Sequence, residues 1–371
     1  MTRVMRVLHV SAGNLYGGIE TMLVTLARYH DACPEMEPHF ALAFEGRVSA
    51  ELRESGASVH VLGVVRASRP ASVWRARRAL RAVLRREGFD VVICHAPWAQ
   101  AVFGPAARTM GVPLVFWMHG AANGRHWLEQ WAGRTRPDVV IATSRYAAST
   151  APNLYPGVRS EVLYPPVAPP VRDGGVRTAV RGEFGTPARA VVIIQVSRME
   201  SWKGHAAHLN ALHDLAGVPD WMCWLVGGAQ RPAEVRYVEQ LRASAAQYGI
   251  GERVRFLGQR SDVSRLLAAA DIQCQPNSSP EPFGIAFVEA LYCGLPVVAT
   301  ALGGPTEIVD DSCGVLVPHD EAGALARALR RLIEDSALRA RLAAGGPERA
   351  RLLCDPAMQM RRLARLCTSL C

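Results

Sequence analysis

PNSSPEPFGIAFVEALYCGLPVVAT, residues 276–300, decides the fold. One apolar run, Asp271–Gln275, leads into it, and a second, Pro296–Thr300, closes it. Between them Ser278, Ser279, Pro280 and Pro282 resist helix, whereas from Gly284 onwards Ile285, Val288, Leu291 and Tyr292 fall on one helical stripe. The order is strand, loop, helix, strand. The first amides of this helix, at Phe283, Gly284 and Ile285, have no partner within it and carry the positive end of its dipole. That turn is a natural seat for an anion, phosphate above all. Glu281 stands just ahead of it and Glu289 about one and a half turns into the helix, so the two carboxylates can grip different parts of one ligand.

Upstream, the apolar run Val191–Val196 enters SRMESWKG, residues 197–204. Arg198 and Lys203 flank a tight turn and Gly204 opens the next helix. Two cations and a helix N-terminus at the carboxyl end of a strand make a cradle for a diphosphate. Trp221–Val226 with Gly227 and Gly228, Val254–Leu257 and Gly314–Val317 read as further strands of the same sheet.

The first half repeats the pattern. Short apolar runs at Val7–Val10, Phe40–Phe44, Val59–Leu62, Val91–Cys94, Leu114–Met118 and Val139–Ala142 alternate with helical stretches, which predicts a parallel sheet covered by helices on both faces. Ligands then bind beyond the carboxyl ends of the strands. The first strand runs into SAGNLYGGIE, whose glycine spacing is not the GxGxxG of dinucleotide enzymes; singly, Gly17 and Gly18 also read as turn residues needing positive φ. His95 and His119 each follow a strand and should line the crevice. His9 lies within the first strand, and both it and His95 read as structural or acceptor-side.

Residues 66–86, RASRPASVWRARRALRAVLRR, are the most basic stretch. On a helix, Val73, Ala76, Leu80, Val83 and Leu84 make an apolar stripe, with Trp74 at its edge and Arg75, Arg77, Arg78, Arg81, Arg85 and Arg86 around the rest. Residues 72–86 therefore fit a solvated cationic face or one that touches anionic lipid headgroups, the first reading being slightly favoured. YPPVAPPVRDGG, residues 164–175, breaks the alternation and is read as the linker.

A chain of 371 residues suits two domains, and with 49% hydrophobic residues both can bury a core. No run approaches a membrane span, and the opening MTRVMRVLHVSAG lacks a signal-peptide core, so the cytoplasm, or the cytoplasmic face of a membrane, is the expected compartment. Nine scattered cysteines without a CxxC pair argue for reduced thiols rather than disulfides or a zinc site. The net charge of +9 points to an anionic partner.

The string EPFGIAFVE, Glu281–Glu289, resembles the E-x-F-G-x-x-x-x-E motif of the retaining glycosyltransferases of family four, which have the two-domain GT-B fold. The resemblance implies an α/β architecture of two Rossmann-like domains whose parallel sheets face a central cleft. It implies an acceptor-side domain over residues 1–168, a donor domain over 169–355, and a last helix over 356–371 that returns to the first domain. By the same resemblance Glu281 sits by the donor sugar, Glu289 holds the nucleotide ribose, and the Phe283–Ile285 turn meets sugar and phosphate. Arg198 and Lys203 match the family's G/S-R-x-x-x-x-K-G and hold the diphosphate. Gly17 and Gly18 match a G-G-x-E turn beside the donor phosphates, Gly227 and Gly228 lie by the base, and His119 lies near the reacting sugar.

The function expected is transfer of a sugar from a nucleotide diphosphate sugar to the hydroxyl of a glycan, lipid-linked or small-molecule acceptor, with retention at the anomeric carbon. No further cofactor and no metal are expected, since no Asp-x-Asp occurs. Alternatives are another activity of the same fold, such as a nucleotide-sugar epimerase or a phosphorylase, or a basic membrane- or nucleic-acid-binding module without catalysis. Nucleic acid is disfavoured because no aromatic stacking platform is visible and Arg198, Lys203, Glu281 and Glu289 would have no use there.

Overall fold

The computed structural model describes residues 3–14, 16–170, 174–321 and 323–371. The chain divides into two compact units, Met1–Ala168 with Cys354–Cys371, and Pro169–Leu353. Residues 171–173 of the expected linker lie outside the described residues.

Among the described residues the first unit holds seven strands: β1 (Met5–Ser11), β2 (Met36–Leu42), β3 (Val59–Val61), β4 (Val91–His95), β5 (Leu114–Met118), β6 (Val139–Ala142) and β7 (Ser160–Val162). They lie in the order β3-β2-β1-β4-β5-β6-β7, every pairing parallel. The second unit holds β8 (Val191–Val196), β9 (Trp221–Val226), β10 (Val254–Gly258), β11 (Ile272–Gln275), β12 (Val297–Thr300) and β13 (Gly314–Val317), in the order β10-β9-β8-β11-β12-β13, also parallel throughout. Both are doubly wound sheets, as the alternation of apolar runs predicts. β4, β5, β6 and β12 are buried along their whole length, as strands covered by helices on both faces must be. The strand the sequence hides is β7, Ser-Glu-Val at a sheet edge, too short and too polar to show an apolar run.

In a doubly wound sheet the chain changes direction beside its first strand, and ligands bind where the loops part at that switch point. In the first unit this falls between β1 and β4, and in the second between β8 and β11. The two segments singled out in the second half, Ser197–Gly204 and Pro276–Gly284, are the loops that follow β8 and β11.

The helix Pro356–Thr368 belongs to the first unit and buries Pro356, Met360, Leu363, Ala364 and Cys367. Val167 N donates to Cys354 O at 3.0 Å, and Arg362 donates to Val162 O of β7 at 3.0 Å. All nine cysteines are free, and seven are buried. No helix among the described residues is long and apolar enough to cross a membrane.

The basic helix spans Pro70–Glu87 and buries Val73, Ala76, Leu80, Val83 and Leu84 as expected, leaving Trp74 57% exposed. Its cationic face is narrower than the sequence suggests. Arg77 turns inward and donates to Val102 O at 2.7 Å and Ala101 O at 3.0 Å. Ala101 O would normally accept from the residue four places on, which is Pro105 and has no N–H, so Arg77 supplies the missing donor. Arg81 is half-buried as well, which leaves Arg75, Arg78, Arg85 and Arg86 exposed.

Candidate active site

The helix after the 276–284 loop is Ile285–Tyr292, one residue later than Gly284. It buries Phe287, Val288, Ala290, Leu291 and Tyr292, whereas Ile285 is only half-buried, so its apolar face is wider than the expected stripe and turned toward Phe287. Gly284 caps it at φ 98°. A Cβ there would lie 2.4 Å from the Phe287 ring, so backbone and space both demand glycine. Among the described residues the amides of Gly284 and Ile285 donate to no backbone group, leaving two donors at the positive end of the helix.

Glu281 lies at the mouth of this turn with its side chain 8% exposed. Its Oε2 accepts from Lys203 Nζ at 2.5 Å, from Asn277 Nδ2 at 2.7 Å and from Gln275 Nε2 at 3.2 Å. No described residue donates to Oε1. One carboxylate oxygen is thus held by three donors and the other is left for a ligand. Backbone bonds fix the loop that carries it: Gly304 N donates to Glu281 O at 2.7 Å, Glu281 N to Leu302 O at 3.2 Å and Ser278 N to Trp202 O at 2.9 Å. The loops after β8, β11 and β12 are therefore laced together at the carboxyl edge of the sheet.

Lys203 ends a short 3₁₀ turn, Ser201–Lys203, and its ammonium also lies 3.9 Å from the centre of the Trp202 ring. Gly204 follows at φ 77°, where a Cβ would fall 1.7 Å from Pro276 O. That contact between the β8 and β11 loops is what delivers Lys203 to Glu281. Arg198 is more open, 43% exposed, and pairs with Glu200 at 3.1 Å; Glu200 also accepts from Trp202 Nε1 at 3.0 Å. The structure brings Lys203 and Glu281 into contact, and each of the two cations already meets a carboxylate of its own unit.

Beneath the turn lies a buried polar group that sequence reading missed. Gln195 Nε2 donates to Lys203 O at 2.8 Å, which leaves Gln195 Oε1 to accept from His208 Nδ1 at 2.9 Å, and Ser197 Oγ meets His205 Nε2 at 3.1 Å. Burial lowers the pKa of His205 to about 4 and of His208 to about 3, so both rings are neutral, each bonded through one nitrogen only. The signal was present: Gln195 interrupts the apolar run VVIIQV, and Gln275 and Asn277 likewise end IQCQPN.

Glu289 is partly exposed and its carboxylate takes no hydrogen bond or ion pair among the described residues; desolvation by the surrounding protein raises its pKa to about 7. Gly227, at φ 154°, and Gly228 follow β9. A Cβ on Gly227 would lie 1.9 Å from Ser197 O and one on Gly228 2.7 Å from Gln259 Cβ, so both glycines let neighbouring loops close up.

In the first unit Gly17 is the N-cap of helix Gly18–Arg28 with φ −168°, ordinary extended backbone, and Gly18 is the first helical residue. The positive φ expected of them belongs instead to Gly13, at φ 85°, where a Cβ would lie 2.9 Å from Phe44 O. Leu15, between these glycines, lies outside the described residues. His119 follows β5, is half-buried, and hydrogen-bonds through Nε2 to His95 Nδ1 at 2.9 Å. The enclosing protein lowers its pKa to about 3, so it is neutral at physiological pH.

Comparison with known proteins identifies the family. Residues 16–169 match the family model described as Glycosyltransferase Family 4, and residues 176–349 that of Glycosyl transferases group 1. The chain is 34% identical to a D-inositol 3-phosphate glycosyltransferase of Xylanimonas cellulosilytica over 70% of its own length and 68% of the relative's. It is 32% identical to a phosphatidyl-myo-inositol mannosyltransferase of Mycobacterium leprae over 71% and 69% of the two chains. Among solved structures it is similar to Anabaena HepE, determined in complex with UDP and glucose, with a TM-score of 0.85 and 26% identity over 99% of this chain and 100% of that one. A loop-laced carboxylate at the switch point, two family models that between them take in both halves of the chain, and relatives at this level of identity lead to one assignment: the chain belongs to the group 1 glycosyltransferases of family 4.

Proposed function

We propose that this glycosyltransferase takes its sugar from a nucleotide diphosphate sugar and transfers it to an acceptor hydroxyl with retention at the anomeric carbon. The observation that carries the reading is Glu281, whose Oε2 is locked by Lys203, Asn277 and Gln275 while Oε1 stays free beside the unpaired amides of Gly284 and Ile285. Such a site offers a negative oxygen to a sugar that becomes cationic and N–H donors to a diphosphate that becomes more anionic. Arg198 and Lys203 hold the diphosphate, Glu289 holds the ribose, and the backbone around Gly227 and Gly228 meets the base. HepE, crystallised with UDP and with UDP-glucose, supports a nucleotide-sugar donor.

In the proposed reaction the bond between the anomeric carbon and the diphosphate oxygen breaks, and a bond to the acceptor oxygen forms on the same face. The acceptor's proton passes to the departing diphosphate, so no protein nucleophile is needed. Arg198 and Lys203 then matter more in the transition state than in bound substrate, and their loss lowers kcat rather than only raising KM.

Incubation with a panel of uridine and guanosine diphosphate sugars, with and without inositol-based and glycan acceptors, tests the proposal. NMR of the product should show the donor's anomeric configuration. An inverted product would overturn retention, and turnover without any acceptor would favour the epimerase reading.

A further inference from the structure

His9, His95 and His119 form a hydrogen-bonded chain that climbs the sheet of the first unit. His9 on β1 pairs with Ile93 of β4, two residues before His95; His95 pairs with Trp117 of β5, two residues before His119. Side chains along a strand alternate between faces, so each offset of two keeps the next imidazole on the same face and moves it one step toward the carboxyl edge. His9 Nδ1 lies 3.0 Å from His95 Nε2, and His95 Nδ1 lies 2.9 Å from His119 Nε2. The rings run in a line rather than around a point. Both nitrogens of His95 are spent on its neighbours, so the three do not converge as metal ligands.

The two ends of the chain differ. At the inner end His9 is fully buried, its ring stacks on Phe40, and its Nε2 has no partner. At the outer end His119 is half-buried and its Nδ1 takes no protein partner among the described residues. Burial lowers the pKa of His9 and His119 to about 3 and that of His95 well below its usual value, so all three rings are neutral and each carries one N–H. Because every link joins an Nδ1 to an Nε2, making both links forces one tautomer on all three rings. With the protons on Nε2, His9 would bury an N–H where no acceptor exists, and buried donors without acceptors are the rarer defect. With the protons on Nδ1, the sealed end holds only a lone pair and His119 ends the chain as a donor.

We propose that His9 and His95 are positioning residues for His119, holding its ring with Nδ1 outward and fixing that atom as a hydrogen-bond donor. The functional part rests on the reading of His119 as a sugar contact: the chain then makes it a neutral donor to a substrate hydroxyl oxygen and removes it as a general base. His95 has both nitrogens committed and Trp117 stacked on it at 5.4 Å, so the arrangement is stiff.

Nitrogen-15 NMR of the imidazoles in the full-length wild-type protein tests the assignment. All three rings should carry hydrogen on Nδ1, the tautomer less favoured by a free histidine in water. Differing tautomers among the three, or a proton on Nε2 of His119, would overturn it. His9→Phe moves the sealed end to His95 and should leave His119 with its proton on Nδ1. His9→Asp supplies an acceptor at the inner end, so His95 and His119 should both switch to Nε2–H and kcat/KM should fall at least tenfold, while the His205 and His208 signals of the other unit stay in place. A folded His9→Asp protein with His119 unchanged would also overturn the proposal, and if that variant does not fold the wild-type spectrum decides alone. The spectrum needs no sugar donor, so its failure leaves the transferase reading intact, and failure of turnover leaves the tautomer assignment intact.

Discussion

Lys203 Nζ and Glu281 Oε2 are 2.5 Å apart although the residues are 78 positions apart in the chain, and their side chains are only 12% and 8% exposed. At this burial, removing one partner strands the other, and the cost exceeds what the pair contributes over an apolar replacement.

Lys203→Met should therefore destabilise the second unit by ~3 kcal/mol, a fall of roughly 6–12 °C in its unfolding midpoint. Lys203→Met combined with Glu281→Gln should recover most of that loss, because the stranded charge is gone, yet kcat should stay as low as in the single variants. Calorimetry beside steady-state kinetics checks both halves. Activity returning together with stability would show that the pair is structural.

Gly204→Ala and Gly56→Ala separate strain from overlap. Both glycines have positive φ, 77° and 79°, but a Cβ at Gly56 meets nothing within 4 Å, whereas at Gly204 it meets Pro276 O at 1.7 Å. Gly56→Ala should cost ~1–2 kcal/mol of backbone strain and leave activity unchanged. Gly204→Ala must push the β8 loop away from the β11 loop, so kcat should fall by ~100-fold through displacement of Lys203. Equal kinetics for the two variants would contradict this account.

Glu289 predicts a pH dependence of donor binding. Its pKa is raised to about 7 by desolvation, and a ribose held by hydrogen bonds to the carboxylate favours the ionised form. Below pH 7 the free protein must release a proton to bind, so the dissociation constant for a nucleotide sugar should rise by up to ~10-fold per pH unit, then level off at the lower pKa of the complex. A nucleotide sugar suits the titration because its bridging diphosphate does not itself titrate there. Glu289→Gln should bind more weakly at pH 8 and show a flat profile. A flat wild-type profile would remove Glu289 from the ribose site.

The loops that make this site were legible only in part. Glu281, Arg198 and Lys203 stand out because charged residues in the loops after apolar runs have few structural uses, and Glu289, inside the following helix, stands out only through the string Glu281–Glu289. The Lys203–Glu281 contact was hidden because it depends on how closely the β8 and β11 loops approach, which Gly204 decides. Gln195 and Gln275 lie in buried strands and Asn277 just beyond one, and polar side chains in such places show their purpose only once their partners are in place. β7 escaped because a sheet edge needs no apolar run, and Arg77 because the carbonyl it caps is freed by a proline on a different helix.

Acid should weaken the fold before carboxylates titrate. Burial holds His9 and His208 at about 3, one in each unit, against ~6.5 in an unfolded chain. Below pH 6.5 the unfolded chain takes up protons that the native one refuses, so stability present above 6.5 is lost down to about 3, by ~1.4 kcal/mol per pH unit for each such histidine. Glu289, with its pKa raised, acts in the opposite sense and loses its contribution as pH rises from 4.5 to 7, but it is one group against several. Urea midpoints should drop between pH 6.5 and 5. Constant midpoints across that window would show that these rings are not held neutral.

If the exposed cations of the Pro70–Glu87 helix meet anionic lipid, changing Arg75, Arg78, Arg85 and Arg86 to Gln should weaken vesicle binding by ~1 kcal/mol per residue. Arg77→Gln should instead destabilise the first unit, since it leaves Ala101 O, opposite Pro105, without a donor. Wild-type protein that fails to sediment with acidic vesicles at low salt would end the membrane reading.

The return of Pro356–Thr368 to the first unit fixes an order of biogenesis. Domains usually complete in the order in which they leave the ribosome. Here the residues that cover the first unit's helix face emerge only after the whole of Pro169–Leu353, so the second unit can close while the first still exposes the apolar patch that Met360, Leu363 and Cys367 will cover. During that interval the patch stays open to water, and a synthesis pause placed late in the message would lengthen its exposure.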